Sequence, residues 1–214
     1  QREVYIVANY DTGLKTALDG VTTAAGLQAV LRITENPWSD KLTTPILMSG
    51  TASHNFITGG YRLNSVPLVR AVAKLQLNIK LSKERQSMPT IEQGVAGSTT
   101  TVYQYKYQLI NFDKDTYVMK PTFTKPDKLT SSTDWVNWDA AGALTQYTPT
   151  SGNVTALTLT TYLNERDNAG TAISLSLPYI SSGTLPPPEF GDETYKLTLP
   201  ATIVRNTMYI YNVE

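Results

Sequence analysis

Three stretches of the chain bring together side chains that could do chemistry. His54 is the one histidine and stands between Ser53 and Asn55, residue types found in acyl-transfer sites. A triad needs its nucleophile, base and orienting group held in a fixed spatial relation that three consecutive residues cannot adopt, so a solvated loop residue describes His54 better. Asp113-Lys114-Asp115 offers oxygen ligands, but too few for a calcium loop, and suits a β-turn. Asp134-Trp135-Val136-Asn137-Trp138-Asp139 sets two indoles three residues apart among acids and an amide. Exposed, Trp135 and Trp138 would stack on a sugar ring or a protein surface; turned inward, they would plug the end of a β-sandwich. No His-Glu-x-x-His, Gly-x-x-x-x-Gly-Lys or Gly-x-Ser-x-Gly pattern occurs, and no spacing selects a glycosidase-type carboxylate pair. No catalytic residue, cofactor site or metal site is therefore assigned, and the chain reads as a non-enzyme.

The composition narrows the partners. The 214 residues carry 18 basic and 18 acidic side chains, and a net charge of zero removes the electrostatic case for nucleic acid or an anionic membrane surface. There is no cysteine, hence no disulfide framework or thiolate metal site. No apolar run reaches the ~18 residues of a membrane span, and Gln1 does not open a signal-peptide pattern. The 13 Tyr residues and abundant Thr favour strands.

Any site must be positioned by those strands, and the stretch Val69 to Leu81 organises them. Its odd positions Val69, Ala71, Ala73, Leu75, Leu77, Ile79 and Leu81 are apolar; its even positions Arg70, Lys74, Gln76, Asn78 and Lys80 are polar, with Val72 the exception. A period of two places one face in a core and the other in water. At ~3.3 Å per residue the run would reach ~43 Å, so it should bend or cross two regions of sheet. Val4 to Asn9 reads as a buried strand, Thr23 to Leu31 as a short capped helix, and Thr51 to Gly60 as a loop. After a charged and Gly-Ser-Thr-rich interval, Val102 to Leu109 forms a strand with Thr116 to Lys120 as its hairpin partner. Leu157 to Leu163, Ile173 to Leu177, Tyr195 to Leu199 and Met208 to Val213 are further strands. The Pro186-Pro187-Pro188 run forbids pairing where it sits. The composition shift at Ser82 predicts a domain boundary there.

Val4-Tyr5-Ile6-Val7-Ala8-Asn9, Leu47-Met48-Ser49-Gly50, Pro67-Leu68-Val69-Arg70-Ala71-Val72-Ala73-Lys74 and Arg205-Asn206-Thr207-Met208-Tyr209 follow one another in an order and spacing that resembles the Bacteroidales fimbrillins, the type V pilins with their major and minor, tip and anchor relatives. The resemblance implies an all-β chain of two tandem transthyretin-like, Greek-key β-sandwich domains, residues 1–81 and 82–214, with one short helix in the first. It implies a structural subunit of a fimbria attached at the outer membrane, assembled by strand donation, whose partners are other pilin subunits in a homo- or hetero-polymer. For a tip adhesin, a host or bacterial surface protein or glycan is added; the membrane is reached only through a lipid anchor absent from this chain. The alternative is a surface glycan- or protein-binding module outside any filament.

Asn9, Arg70, Lys74, Arg205, Asn206 and Tyr209 are the polar and aromatic markers of these motifs. Arg205 and Asn206 should tie the last strand to a neighbouring turn, while Arg70 and Lys74 should be the solvated face of their strand. The abrupt opening at Val4 leads to the expectation that one or more strands precede Gln1. Their loss would leave an apolar groove beside Val4–Asn9 or Val69–Leu81, lined by members of the set Val4, Ile6, Leu75, Leu77 and Ile79, ready for a strand from a second molecule.

Overall fold

Strands form where the sequence alternates, and the polar stretches between them turn the chain. The computed structural model describes residues 1–38, 45–57, 62–93, 101–180 and 190–214. The Pro186–Pro188 run, positions 94–100 of the Gly-Ser-Thr stretch and positions 58–60 of the predicted Thr51–Gly60 loop lie outside the described residues.

Strand β1 (Arg2–Ala8) ends at Asn9, whose φ of 63° lies in the left-handed region that asparagine tolerates. Helix α1 (Thr12–Asp19) starts where the Asp11 carboxylate accepts the Leu14 N–H at 2.8 Å, and α2 (Ala24–Gln28) where the Thr23 hydroxyl accepts the Gly26 N–H at 3.0 Å. The segment expected to be a helix up to Leu31 is thus shorter, because Leu31 already starts β2 (Leu31–Ile33), and a further short helix precedes it. Next come β3 (Met48–His54), β4 (Val69–Arg70), β5 (Ala73–Lys80) and a 3₁₀ turn at Lys83–Arg85. Strands β6 (Thr90–Gln93), β7 (Thr101–Gln104), β8 (Lys106–Ile110), β9 (Phe112–Asp113), β10 (Asp115–Tyr117), β11 (Leu129–Thr130) and β12 (Val136–Asn137) follow. The chain closes with β13 (Thr145–Thr150), β14 (Asn153–Leu163), β15 (Ala172–Ile180), β16 (Phe190–Thr198) and β17 (Met208–Val213). The fold is all-β.

Two four-stranded sheets, β13-β14-β5-β17 and β12-β8-β15-β16, face each other across the main core. Leu75 and Leu77 of β5, Leu157 and Leu159 of β14, and Leu109 and Ile173 opposite are at most 1% exposed. A three-stranded sheet β1-β3-β4 packs with α1 on a smaller core of Leu14, Val30, Leu47, Ala71 and Val118. Gly50 lies where β3 passes the Pro67 backbone so closely that a Cβ would strike the Pro67 carbonyl, so only glycine fits.

The long alternating run is divided between these layers. Val69 and Arg70 pair with β3, whereas Ala73–Lys80 pairs antiparallel with β14 and parallel with β17. Ala71 and Val72, both buried, make the crossing, which explains the apolar residue at an even position. A division at Ser82 would separate β5 from both of its neighbours, so the predicted boundary is corrected: residues 73–81 belong to the same core as residues 105–203. The polar shift at Ser82 marks only the turn that leaves the end of β5. Two local expectations also change. Thr51–His54 extends β3 along β1, and Asp115–Tyr117 pairs with β2 rather than folding back on β8. Asp113 and Asp115 are not a turn open to cations, because their carboxylates pair with Lys125 at 2.6 Å and Lys128 at 2.9 Å. Among the described residues no cluster of three or more metal-type ligands occurs.

Candidate functional site, a cleft between two edge strands

Strand β17 pairs with β5 and β16 with β15; among the described residues neither has a neighbour on its other side. Between these two edges the sandwich stands open. A cleft of about 370 Å³ runs between the sheets, floored by Leu77 and Ile79 of β5 and Leu175 and Leu177 of β15, with Leu197 of β16 and Val213 of β17 at its sides. The floor is apolar because period-two alternation turns these side chains inward, where they are at most 6% exposed.

Strand β17 is a bare edge by composition as well. Met208-Tyr209-Ile210-Tyr211-Asn212-Val213 holds no charge, proline or glycine, the devices that usually protect an edge. Tyr209 and Tyr211 pack against the core, while Met208 and Ile210 point outward, 48% and 54% exposed. The Thr207 carbonyl accepts the Lys74 N–H at 2.9 Å, so by alternation the backbone groups of Met208, Ile210 and Asn212 face the free edge.

One end of the cleft is polar. Arg85 leaves the 3₁₀ turn and lays its guanidinium 5.1 Å from the Tyr179 ring centre and 5.6 Å from that of Tyr195. Its Nη2 donates to Glu193. The Tyr195 hydroxyl donates to the same carboxylate at 3.0 Å. Those two donors, the tyrosine first, hold the Glu193 carboxyl below the usual glutamate value of 4.5. Partial burial, then the hydrogen bond to Glu193, raises the Tyr195 hydroxyl. A depressed carboxyl contributes stability above its unfolded pKa and loses it as pH falls through the folded value. An NMR titration is therefore expected to place Glu193 below 4.5, and Arg85→Met to move it upward without restoring the ordinary value, since Tyr195 still donates. A wild-type Glu193 titrating at or above the ordinary value would contradict this geometry.

The groove predicted on β5 is corrected accordingly. Leu75 is fully buried with its strand paired on both edges, and β17 of this same chain occupies the place foreseen for a second molecule. Leu77 and Ile79 do line a trough, but between the sheets beyond β17. Val4 and Ile6 lie on β1, which pairs with β3 alone among the described residues, and Ile6 is 36% exposed. They do not join the cleft.

The paired-indole platform does not form. Trp138 is buried, its ring 5.5 Å edge-on to Tyr107, with its indole N–H donating to the Gln146 carbonyl at 2.9 Å. Trp135 is 39% exposed. The indole N–H had a carbonyl within reach on β13, which makes the inward rotamer the satisfied one.

The motif markers converge elsewhere, where β4, β5 and the start of β17 meet. Arg205 reaches Glu165 with Nε at 2.7 Å and with Nη2, which also donates to the Tyr117 carbonyl at 2.8 Å. Asn206, left-handed at φ 61°, receives Arg70 Nη1 at 3.2 Å, and its N–H binds the Val72 carbonyl at 2.8 Å. Arg70 and Lys74 border a hollow there. The Tyr209 hydroxyl accepts the Val204 N–H at 2.9 Å, and the Asn9 amide donates to the Ile46 carbonyl at 2.9 Å. Arg85, Tyr179, Glu193 and Tyr195 were not singled out by sequence, since Arg85 lies in a charged run that reads as a linker. The uncharged β17 edge was the available signal.

An all-β sandwich with an apolar cleft between two edge strands that are unpaired among the described residues defines the structural class. The profile of the minor fimbrium tip subunit MfA4, C-terminal, family matches residues 71–214. A minor fimbrium tip subunit MfA4 of Porphyromonas gingivalis is 47% identical over 230 residues, covering all of this chain, which spans 67% of that relative. The chain belongs to this fimbrial tip subunit family and thereby to the Bacteroidales fimbrillins. A crystal structure of a candidate cell adhesion protein from Bacteroides eggerthii shares the fold, with a TM-score of 0.54 at 16% identity, over 92% of this chain and 61% of that one.

Proposed function

We propose that this fimbrial subunit is a non-catalytic component of a cell-surface fimbria, placed at its tip like the Porphyromonas relative, and that it joins a neighbouring subunit by accepting an extended strand along β17. The apolar cleft between two unpaired edges carries this reading. A strand laid beside β17 would bond to the outward backbone groups of Met208, Ile210 and Asn212, and its alternate side chains would enter the cleft between Val213 of β17 and Leu197 of β16. Main-chain bonds supply the affinity of such an addition, and the side-chain row sets the register. The partners are other fimbrial subunits, and the location is the outer face of the cell.

The backbone test is Ile210→Pro in the full-length protein. Proline removes the outward N–H while leaving the β5–β17 ladder intact, since an edge position facing solvent tolerates it. Incorporation into fimbriae, followed by immunoblot of sheared surface fractions, is expected to be lost in Ile210→Pro and kept in Ile210→Ala. Equal incorporation of both folded variants would refute strand acceptance at β17.

A further inference from the structure

We infer that Arg85 selects the strand that enters the cleft, admitting one whose inward-facing row ends in a carboxylate at the β5–β17 end of the trough. The inference rests on the strand-acceptor reading above and adds the chemistry of the partner.

Arg85 is built into the site rather than draped over it. Its own carbonyl accepts the Tyr105 hydroxyl at 2.6 Å, its N–H reaches the Ser82 carbonyl at 3.0 Å, and the two tyrosine rings fix the plane of its guanidinium. The side chain is 22% exposed. One arm of the fork, Nη2, is used by Glu193, but Nη1 is buried and has no hydrogen-bond partner among the described residues. A buried donor on a permanently charged group is costly to leave unmade. An acceptor brought by the incoming strand would satisfy it.

A carboxylate fits better than a neutral acceptor. The charged residues lining the cleft are Lys80, Arg85 and Lys196 against Glu214, and counting Glu193 at the rim still leaves the balance positive. Guanidinium and carboxylate form the stronger, charge-assisted bond. The apolar floor ends at Arg85, so the acid belongs at the terminus of an otherwise apolar row and not within it.

The probes are synthetic eight-residue peptides of alternating Thr and Val, blocked at both ends, in two pairs. One pair replaces the first Val and the other the last, each by Glu in one member and Gln in its twin, so that both strand directions are covered. Binding to the 214-residue chain is measured by calorimetry. One Glu peptide is expected to bind the wild-type chain roughly tenfold or more tightly than its Gln twin, the scale of one charge-assisted hydrogen bond. In Arg85→Met that preference disappears and the Glu and Gln twins bind alike, and Arg85→Lys, which keeps the charge but not the fork, retains only part of the preference. Equal binding of twins to the wild-type chain, or a preference that survives in Arg85→Met, overturns the role of Arg85 and leaves strand acceptance standing. If no peptide binds, strand acceptance at this cleft fails, and the selectivity with it. A urea midpoint for each variant confirms that folded protein is compared.

Discussion

Arg205→Ala is expected to lower the stability of the chain by about 3–5 kcal/mol, the usual consequence of removing one member of a buried ion pair. The Arg205 side chain is 1% exposed and Glu165 11%. Besides Glu165, its guanidinium serves the Tyr117 carbonyl and approaches the Thr116 hydroxyl at 3.4 Å. Residues 115–117 pair with β2 and lead Val118 into the smaller core, so Arg205 fastens that core to the start of β17. Alanine would strand an acid and a carbonyl together. Urea denaturation followed by tryptophan fluorescence checks the magnitude. Arg205→Met combined with Glu165→Leu is expected to recover much of the loss, because an apolar pair of similar volume removes the uncompensated charge. A single variant within about 1 kcal/mol of wild type would show that the pair is a solvated one of the kind worth little.

Leu75→Ala is expected to cost about 2–5 kcal/mol, through lost transfer energy and the cavity left in a core that cannot collapse around it. Leu75 lies in the middle of β5, fully buried, with Thr161 of β14 on one side and Tyr209 of β17 on the other. Its neighbours are held by two ladders and have little freedom to close the gap. Ile210→Ala on β17, outward-facing and half-exposed, is expected to change stability by no more than about 0.5 kcal/mol. Chemical denaturation of the two variants side by side measures the contrast. Similar losses at both positions would mean that the outward face of β17 is packed, and a trivial loss at Leu75 would remove β5 from the centre of the core.

The alternation of Ala73 to Lys80 was legible because burial leaves a direct mark: alternate residues of a half-buried strand must differ in polarity. Thr23 could be read as a cap for a similar local reason, its hydroxyl meeting an N–H three residues on. The limits of β17 at Met208 and Val213 were also visible in its run of apolar and aromatic residues. The markers Asn9 and Asn206 acquire a local explanation as well, since both hold left-handed turns.

Pairing left no such mark. A period of two states which face of β5 is buried but not which strands stand beside it, and its partners β14 and β17 come from about 80 and 130 residues further along the chain. For that reason a boundary read at Ser82 separates β5 from its partners, and of the two strands beside which a groove is expected, Val4–Asn9 and Val69–Leu81, only the tertiary pairing shows that the second is covered by β17. Trp135 and Trp138 are equivalent in sequence; a carbonyl on β13 separates them in space. Arg85 reads as one charge among several until Tyr179, Tyr195 and Glu193, all from the distant β15–β16 hairpin, surround it. The sequence by itself determined the all-β character, the faces of the strands and the family. Which edges stay unpaired, where the apolar trough opens and which cation guards its end were decided by tertiary structure, because each depends on contacts between residues that no local period connects.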